Sequence, residues 1–166
     1  MKTQKLTWAA LLIAIATLTG HVFYIPVGAS KCFPIQHTVN VLSAIMLGPW
    51  YALATAFVTS LLRNILGTGS LLAFPGSMFG ALLAGLIYQR SGSQLLASLG
   101  EVFGTGILGA IACYPLIKLV MGQETAIFFY VVPFMTSTIG GTIIANLLLK
   151  ALTSLNLVGV NSKGNI

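Results

Sequence analysis

Apolar runs follow one another from Lys5 to Leu152, and only two acidic residues, Glu101 and Glu124, occur in the whole chain. A soluble domain carries roughly a quarter of its residues as Asp, Glu, Lys or Arg, whereas 6% of these 166 residues are of those types. Lipid must therefore be the solvent around most of the surface.

Crossing about 30 Å of hydrocarbon takes roughly 20 helical residues, fewer when a helix is buried among neighbours or the bilayer adapts. Six passes nearly exhaust the length: Lys5–Phe23, Gln36–Leu47, Trp50–Leu66, Pro75–Tyr88, Gln94–Val120 and Ala126–Leu152. The expected architecture is an all-α polytopic membrane protein, a six-transmembrane-helix bundle forming one domain over 1–166. The second helix is too short to span comfortably alone. Across Gly48-Pro49-Trp50-Tyr51 it forms a tight hairpin with the third, since Gly and Pro interrupt a helix while Trp50 and Tyr51 suit a membrane interface.

Met1-Lys-Thr-Gln-Lys5 before an apolar run resembles a cleaved leader, with Ala14-Ile15-Ala16 as a cleavage site. Cutting there would leave about half of a usual apolar region, so a retained first helix is expected. Six spans place both termini on one side. If that side is the cytoplasm, it collects Lys2, Lys5, Arg90, Lys150 and Lys163, against Lys31, Arg63 and Lys118 outside, which is the positive-inside bias.

The formal charge of +6 includes no basic run interleaved with aromatics, as nucleic-acid binding would require. Topology and anionic headgroups account for it better. Cys32 and Cys113 form no disulfide framework, and no metal-ligand cluster occurs. A phosphate cradle of the form GxxxxGK[ST] is also missing, so the chain cannot power transport by itself. Gly104-Thr-Gly-Ile-Leu-Gly109 matches GxGxxG, but within an apolar span and without the preceding strand that a dinucleotide fold needs.

Its glycines fit another role, because small residues four apart let helix backbones approach closely in lipid. Gly76/Gly80, Gly80/Ala84, Gly100/Gly104 and Gly141/Ala145 share that spacing, as do Ala10 and Ala14 on the first helix. For the alanine pair two readings stand: packing against sister helices, or a flat outward face that docks another membrane protein.

Polar side chains are costly in lipid and tend to face a cavity, a partner or the interface. Gln36, Asn40 and Ser43 share one helical face with His37 beside it. Ser60, Arg63 and Asn64 repeat the pattern at the end of the third helix, where Arg63 serves equally well as a ligand contact or a headgroup anchor. Tyr114 with Lys118, and Tyr130 with Phe134 and Ser137, lie at the same end of the fifth and sixth helices. Glu101, the lone acid within a span, is expected nearer the cytoplasmic end, and Asn146 is expected to find a partner inside the bundle.

Two connections, 24–36 and 67–77, flank the polar cluster as lids, the second offering Leu72 and Phe74 to an apolar ligand. The candidate ligand-binding set is Gln36, His37, Asn40, Arg63, Asn64, Tyr114 and Tyr130. A membrane-embedded hydrolase using Ser77 with His37 would be a different class, but no catalytic motif surrounds Ser77. A channel would need polar residues along a whole pore rather than at one end.

Ile25-Pro-Val-Gly-Ala-Ser-Lys-Cys-Phe-Pro-Ile-Gln-His37, Leu47-Gly-Pro-Trp-Tyr51, Ser60-Leu-Leu-Arg-Asn64 and Leu72-Ala-Phe-Pro-Gly-Ser77 together resemble one family. It is the ThiW group among the substrate-binding S components of energy-coupling factor (ECF) vitamin transporters, and the resemblance covers essentially the full chain. It implies a subunit that captures hydroxyethylthiazole, a thiamin precursor, from outside. It also implies no cofactor in this chain, ATP being used by separate ATPase subunits through a transmembrane coupling protein. Ala10 and Ala14 match the alanine pair with which such subunits contact that coupling protein, which favours the docking reading. The alternative is an S component for another small vitamin or precursor. Lys31 and Arg63 together would suit an anionic ligand rather than a neutral thiazole.

Overall fold

The computed structural model describes residues 2–20, 22–27, 30–122, 124 and 126–155. Lys163 and the side chain of Lys2, two of the charges in the positive-inside count, lie outside the described residues, as do Gly28 and Ala29 of the first connection. Six helices form the bundle: α1 (Lys2–Thr19), α2 (Pro34–Leu47), α3 (Pro49–Ile65), α4 (Ala73–Ser91), α5 (Gln94–Leu119) and α6 (Val131–Ser154). Two short strands, β1 (Ile25–Val27) and β2 (Ser30–Cys32), pair antiparallel between α1 and α2, with Ile25 opposite Cys32 and Pro26 opposite Lys31.

Several element ends differ from the sequence expectation by a few residues, and three of them have a plain local cause. α1 stops at Thr19 rather than Phe23, because Thr19 O takes the N–H groups of both Val22 and Phe23 in a closing turn. α4 begins at Ala73, inside the segment expected to be a loop; Pro75 falls in its first turn, where a missing N–H costs nothing. α6 begins at Val131 rather than Ala126, after turns in which Phe129 N–H donates to Ala126 O and Val131 N–H to Phe128 O.

α2 sits at the centre. All of its residues except Ile35 are buried, and it touches each of the other five helices. At 1.5 Å per residue its 14 residues cover only about 21 Å. That length is tolerable because protein rather than lipid surrounds it. Pro34 and Pro49 open α2 and α3 at positions whose N–H would have no intrahelical partner. Between them Gly48 adopts φ +95°, a left-handed backbone that lets the hairpin turn tightly. Trp50 beside it is 71% exposed.

α4 and α5 meet along a seam of small residues. A Cβ on Gly100 would lie 3.3 Å from Ala84 Cα, one on Gly104 2.7 Å from Gly80 Cα, and one on Gly109 2.9 Å from Gly76 Cα. On α4 the partners are spaced four and four; on α5 they are spaced four and five. The extra residue is absorbed by a π-helical turn over Gly104–Gly109, which keeps the small positions facing the seam. The segment that mimicked a dinucleotide fingerprint is thus a helix-packing device.

α5 and α6 are each long and apolar enough to cross a membrane. Leu6, Leu11 and Leu18 on α1, Leu95, Leu99 and Phe103 on α5, and Val132, Ile143 and Leu147 on α6 are exposed, as expected of surfaces that meet lipid. The connections before α2, after α3 and after α5 gather at one end of the bundle. At the opposite end, where the Gly48 turn lies, Lys5 Nζ donates to Leu47 O at 3.4 Å, and an apolar core of Ala9, Leu12, Leu42, Ile45, Met46 and Leu149 fills the interior.

Candidate functional site

The connecting end of the bundle encloses a cavity. It has about 70 Å³ of space for the centres of water-sized molecules, several times the roughly 10–15 Å³ that one water needs. Phe33, Ala73, Pro133 and Phe134 give it apolar walls; Gln36, His37, Ser70, Ser77, Thr105 and Ser137 supply neutral polar groups; Lys31 and Arg63 are its cations. Five helical segments converge there because α2, α4 and α6 all begin at this end, α3 finishes there, and α5 passes beneath.

Under the cavity lies Glu101, 0% exposed. Its Oε1 stands 2.9 Å from His37 Nδ1 and accepts from Asn40 Nδ2 at 3.0 Å and Thr105 Oγ1 at 3.1 Å. Burying a lone carboxylate costs several kcal/mol; three donors from α2 and α5 offset part of that cost at Oε1, while Oε2 is buried without a hydrogen-bond partner among the described residues. Asn40 Nδ2 also reaches Ser77 O at 3.3 Å, tying α4 into the same network. Glu101 lies seven residues into α5, in the half of the helix away from the connecting end as its position in the sequence suggested, and the first turns of α2 reach deep enough for His37 and Asn40 to meet it.

Arg63 is 1% exposed, so it is not a headgroup anchor. Its Nη1 donates to Gln36 Oε1, Nη2 donates to Thr68 O at 2.9 Å, and the guanidinium lies 3.9 Å from the centre of the Phe33 ring. Nε faces Gly20, where a Cβ would come within 2.7 Å. These contacts make Arg63 a strap joining α1, α2 and the turn after α3, with a cation–π contact on its face.

Of the sequence-derived set, Gln36, His37 and Arg63 line the cavity. Asn40 supports its floor. Asn64 stands behind the wall, donating to Ser60 O at 2.8 Å and Ser70 O at 3.0 Å, and so shapes the α3–α4 turn. Tyr114 and Tyr130 do not line it. The cavity reaches α5 at Thr105, and Tyr114 lies nine residues along, roughly 13 Å up the axis; Tyr130 packs edge-on against Phe129 and beside Phe134.

Leu72 packs with Cys113 and Ile117, and Phe74 with Phe57 at 5.6 Å between ring centres, so neither covers the cavity. The cover comes instead from Lys31 and Phe33. It is pinned to α6 by Cys32 Sγ donating to Pro133 O at 3.1 Å and Phe33 N–H donating to Ser137 Oγ at 2.8 Å. Phe33, Ser70, Ala73, Thr105 and Pro133 are among the lining residues that sequence reasoning did not single out; Thr105 is legible afterwards as the hydroxyl one turn from the lone buried acid.

Ser77 Oγ donates to Ala73 O at 2.7 Å and lies 3.1 Å from Ser60 Oγ. No hydrogen bond joins it to His37, so the pair lacks the nucleophile–base geometry a hydrolase requires. Asn146 bonds Ser98 Oγ and Thr142 O, a structural role. On the opposite side, Ala10 and Ala14 are exposed on the outer face of α1, whereas Ala9 and Ala16 are buried.

A family model described as thiamine-precursor transporter protein (ThiW) matches residues 6–155. No curated protein matches. Among solved structures, one reported under the words "Structure and mechanism of the S component of a bacterial ECF transporter" superposes with a TM-score of 0.77 at 19% identity, covering 93% of this chain and 98% of that one. At that identity the likeness establishes the fold: the six-helix bundle is of the S-component type.

Proposed function

Because this chain belongs to the ThiW family of thiamine-precursor transporter proteins, a transporter subunit rather than an enzyme, we propose that it captures hydroxyethylthiazole in the cavity beneath Lys31 and Phe33. The observation that carries this reading is the cavity itself. Phe33, Pro133 and Phe134 give it an apolar wall of the kind a ring would pack against, and a few polar groups in the same lining would fix orientation, the usual composition of a small-ligand site.

Uptake is driven by ATP used on separate subunits and transmitted through a transmembrane coupling protein. The exposed Ala10 and Ala14 face of α1 is the surface that docks it, since small residues let a partner helix approach closely. The cavity end faces outward and the termini lie in the cytoplasm. Among the described side chains, Lys5, Arg90 and Lys150 mark the terminal end, against Lys31 and Lys118 at the cavity end once the buried Arg63 is set aside.

Cells expressing this chain with and without the coupling protein and ATPase subunits separate the readings. Accumulation of labelled hydroxyethylthiazole only when all subunits are present is the expected result. Flux without them would mean a channel and would overturn the proposal.

A further inference from the structure

The network under the cavity has an unused outward end. Asn40 Nδ2 and Thr105 Oγ1 both donate to Glu101 Oε1, and an oxygen collecting two donors acts as an acceptor. His37 Nδ1, 2.9 Å from that oxygen, therefore carries a proton. In a neutral imidazole this leaves the lone pair on Nε2. His37 lines the cavity and its side chain keeps 10% of its surface. Nε2 has no hydrogen-bond partner among the described residues, and it is not one of the buried atoms sealed away without one.

The cations around the cavity are each drawn toward other protein groups. Each terminal nitrogen of Arg63 already donates to one protein oxygen, its face lies on Phe33, and its Nε is buried against Gly20 without an acceptor among the described residues. Lys31 on β2 holds its ammonium 4.8 Å from the centre of the Tyr24 ring. α4 and α6 present only uncharged groups to the cavity, and Glu101 of α5 is the one acid beneath it. An anion entering here meets the imidazole lone pair of His37 above the buried carboxylate of Glu101, while Arg63 turns its ring-stacked face to Phe33 and its Nε to Gly20.

We infer that His37 is a specificity-determining contact. With Nδ1 held by Glu101, its Nε2 accepts a hydrogen bond from the hydroxyl of an uncharged, ring-bearing ligand, and the site selects that alcohol over its phosphate ester. The inference rests on the cavity being the transport site.

The test titrates the purified full chain with hydroxyethylthiazole, with the 5-ethyl analogue that lacks the hydroxyl, and with the phosphate ester. The wild type is expected to bind the alcohol at least about ten-fold more tightly than the ethyl analogue, because the latter leaves Nε2 unpaired, and to bind the ester more weakly than the alcohol. His37→Asn replaces the Nδ1 donor but does not reach the Nε2 position. It should bring the alcohol-to-ethyl preference close to one while sparing affinity for the ethyl analogue, and His37→Gln should keep part of the preference. Equal binding of alcohol and ethyl analogue by the wild type, or tightest binding of the ester, overturns the inference without any variant. Equal weakening of both thiazoles by His37→Asn also overturns it, by reducing His37 to a structural role. Failure of all three probes to bind the wild type would bring down the proposed function itself.

Discussion

The outer face of α1 and the floor of the cavity place similar demands on the chain and meet them in opposite ways. Around Ala10 and Ala14 the surface is exposed and has only small side chains at those positions. Around Glu101 and Arg63 nearly every polar atom is buried and most are bonded across helices, from α2 to α5 and from α3 to the turn before α4. A face of the first kind is cheap to change in the isolated chain and costly only against a partner; a site of the second kind is costly to change everywhere. Capture and coupling are therefore separable by mutation.

The largest expected effect breaks the comparison at its outer face. Ala14→Arg puts a charged, bulky side chain on the α1 surface and should abolish partner-dependent uptake while leaving affinity for hydroxyethylthiazole and the thermal unfolding midpoint unchanged. Loss of ligand binding in the isolated variant would show that the two regions are not independent.

Next in size is Glu101→Leu, which leaves His37 Nδ1, Asn40 Nδ2 and Thr105 Oγ1 without their shared acceptor. Destabilisation of about 3 kcal/mol or more is expected, read as a lowered unfolding midpoint in detergent. An unchanged midpoint would mean that the network contributes nothing to folding. Gly104→Leu drives a side chain into the Gly80 backbone across the α4–α5 seam and should cost about 1–3 kcal/mol by the same measurement. Because Thr105 follows directly, ligand affinity should fall too. At the small end, Tyr130→Phe and Tyr114→Phe should shift neither stability by more than about 0.5 kcal/mol nor affinity; a clear loss of binding would extend the site beyond the cavity described.

What the sequence disclosed follows from the price of polarity in lipid. Hydropathy alone delimited α5 almost to the residue, and the clustering of Gln36, His37, Asn40, Ser60 and Arg63 at one end anticipated the cavity, because such side chains have few alternatives to facing one another. The hairpin at Gly48 was legible from Gly-Pro. Pairings were not: nothing in periodicity says that Glu101 meets His37, 64 residues away, or that Arg63 straps the turn beyond its own helix. The β1–β2 pairing was invisible because Pro26 weakens any strand reading, and Tyr114 and Tyr130 misled because helical spacing fixes a face but not how far along it a cavity extends. The π turn shows itself only once the spacing of Gly100, Gly104 and Gly109 is laid beside Ala84, Gly80 and Gly76.

The central claim is that the ligand occupies the hollow under Phe33, and a calorimetric titration of Ala73→Phe with hydroxyethylthiazole tests it most directly. Ala73 lines that hollow and is half-buried, so a phenyl ring there fills the space without entering the helix seam. The account predicts a variant with a wild-type helical spectrum and unfolding midpoint that gives no binding heat. Saturable binding at wild-type affinity would place the ligand elsewhere and contradict it.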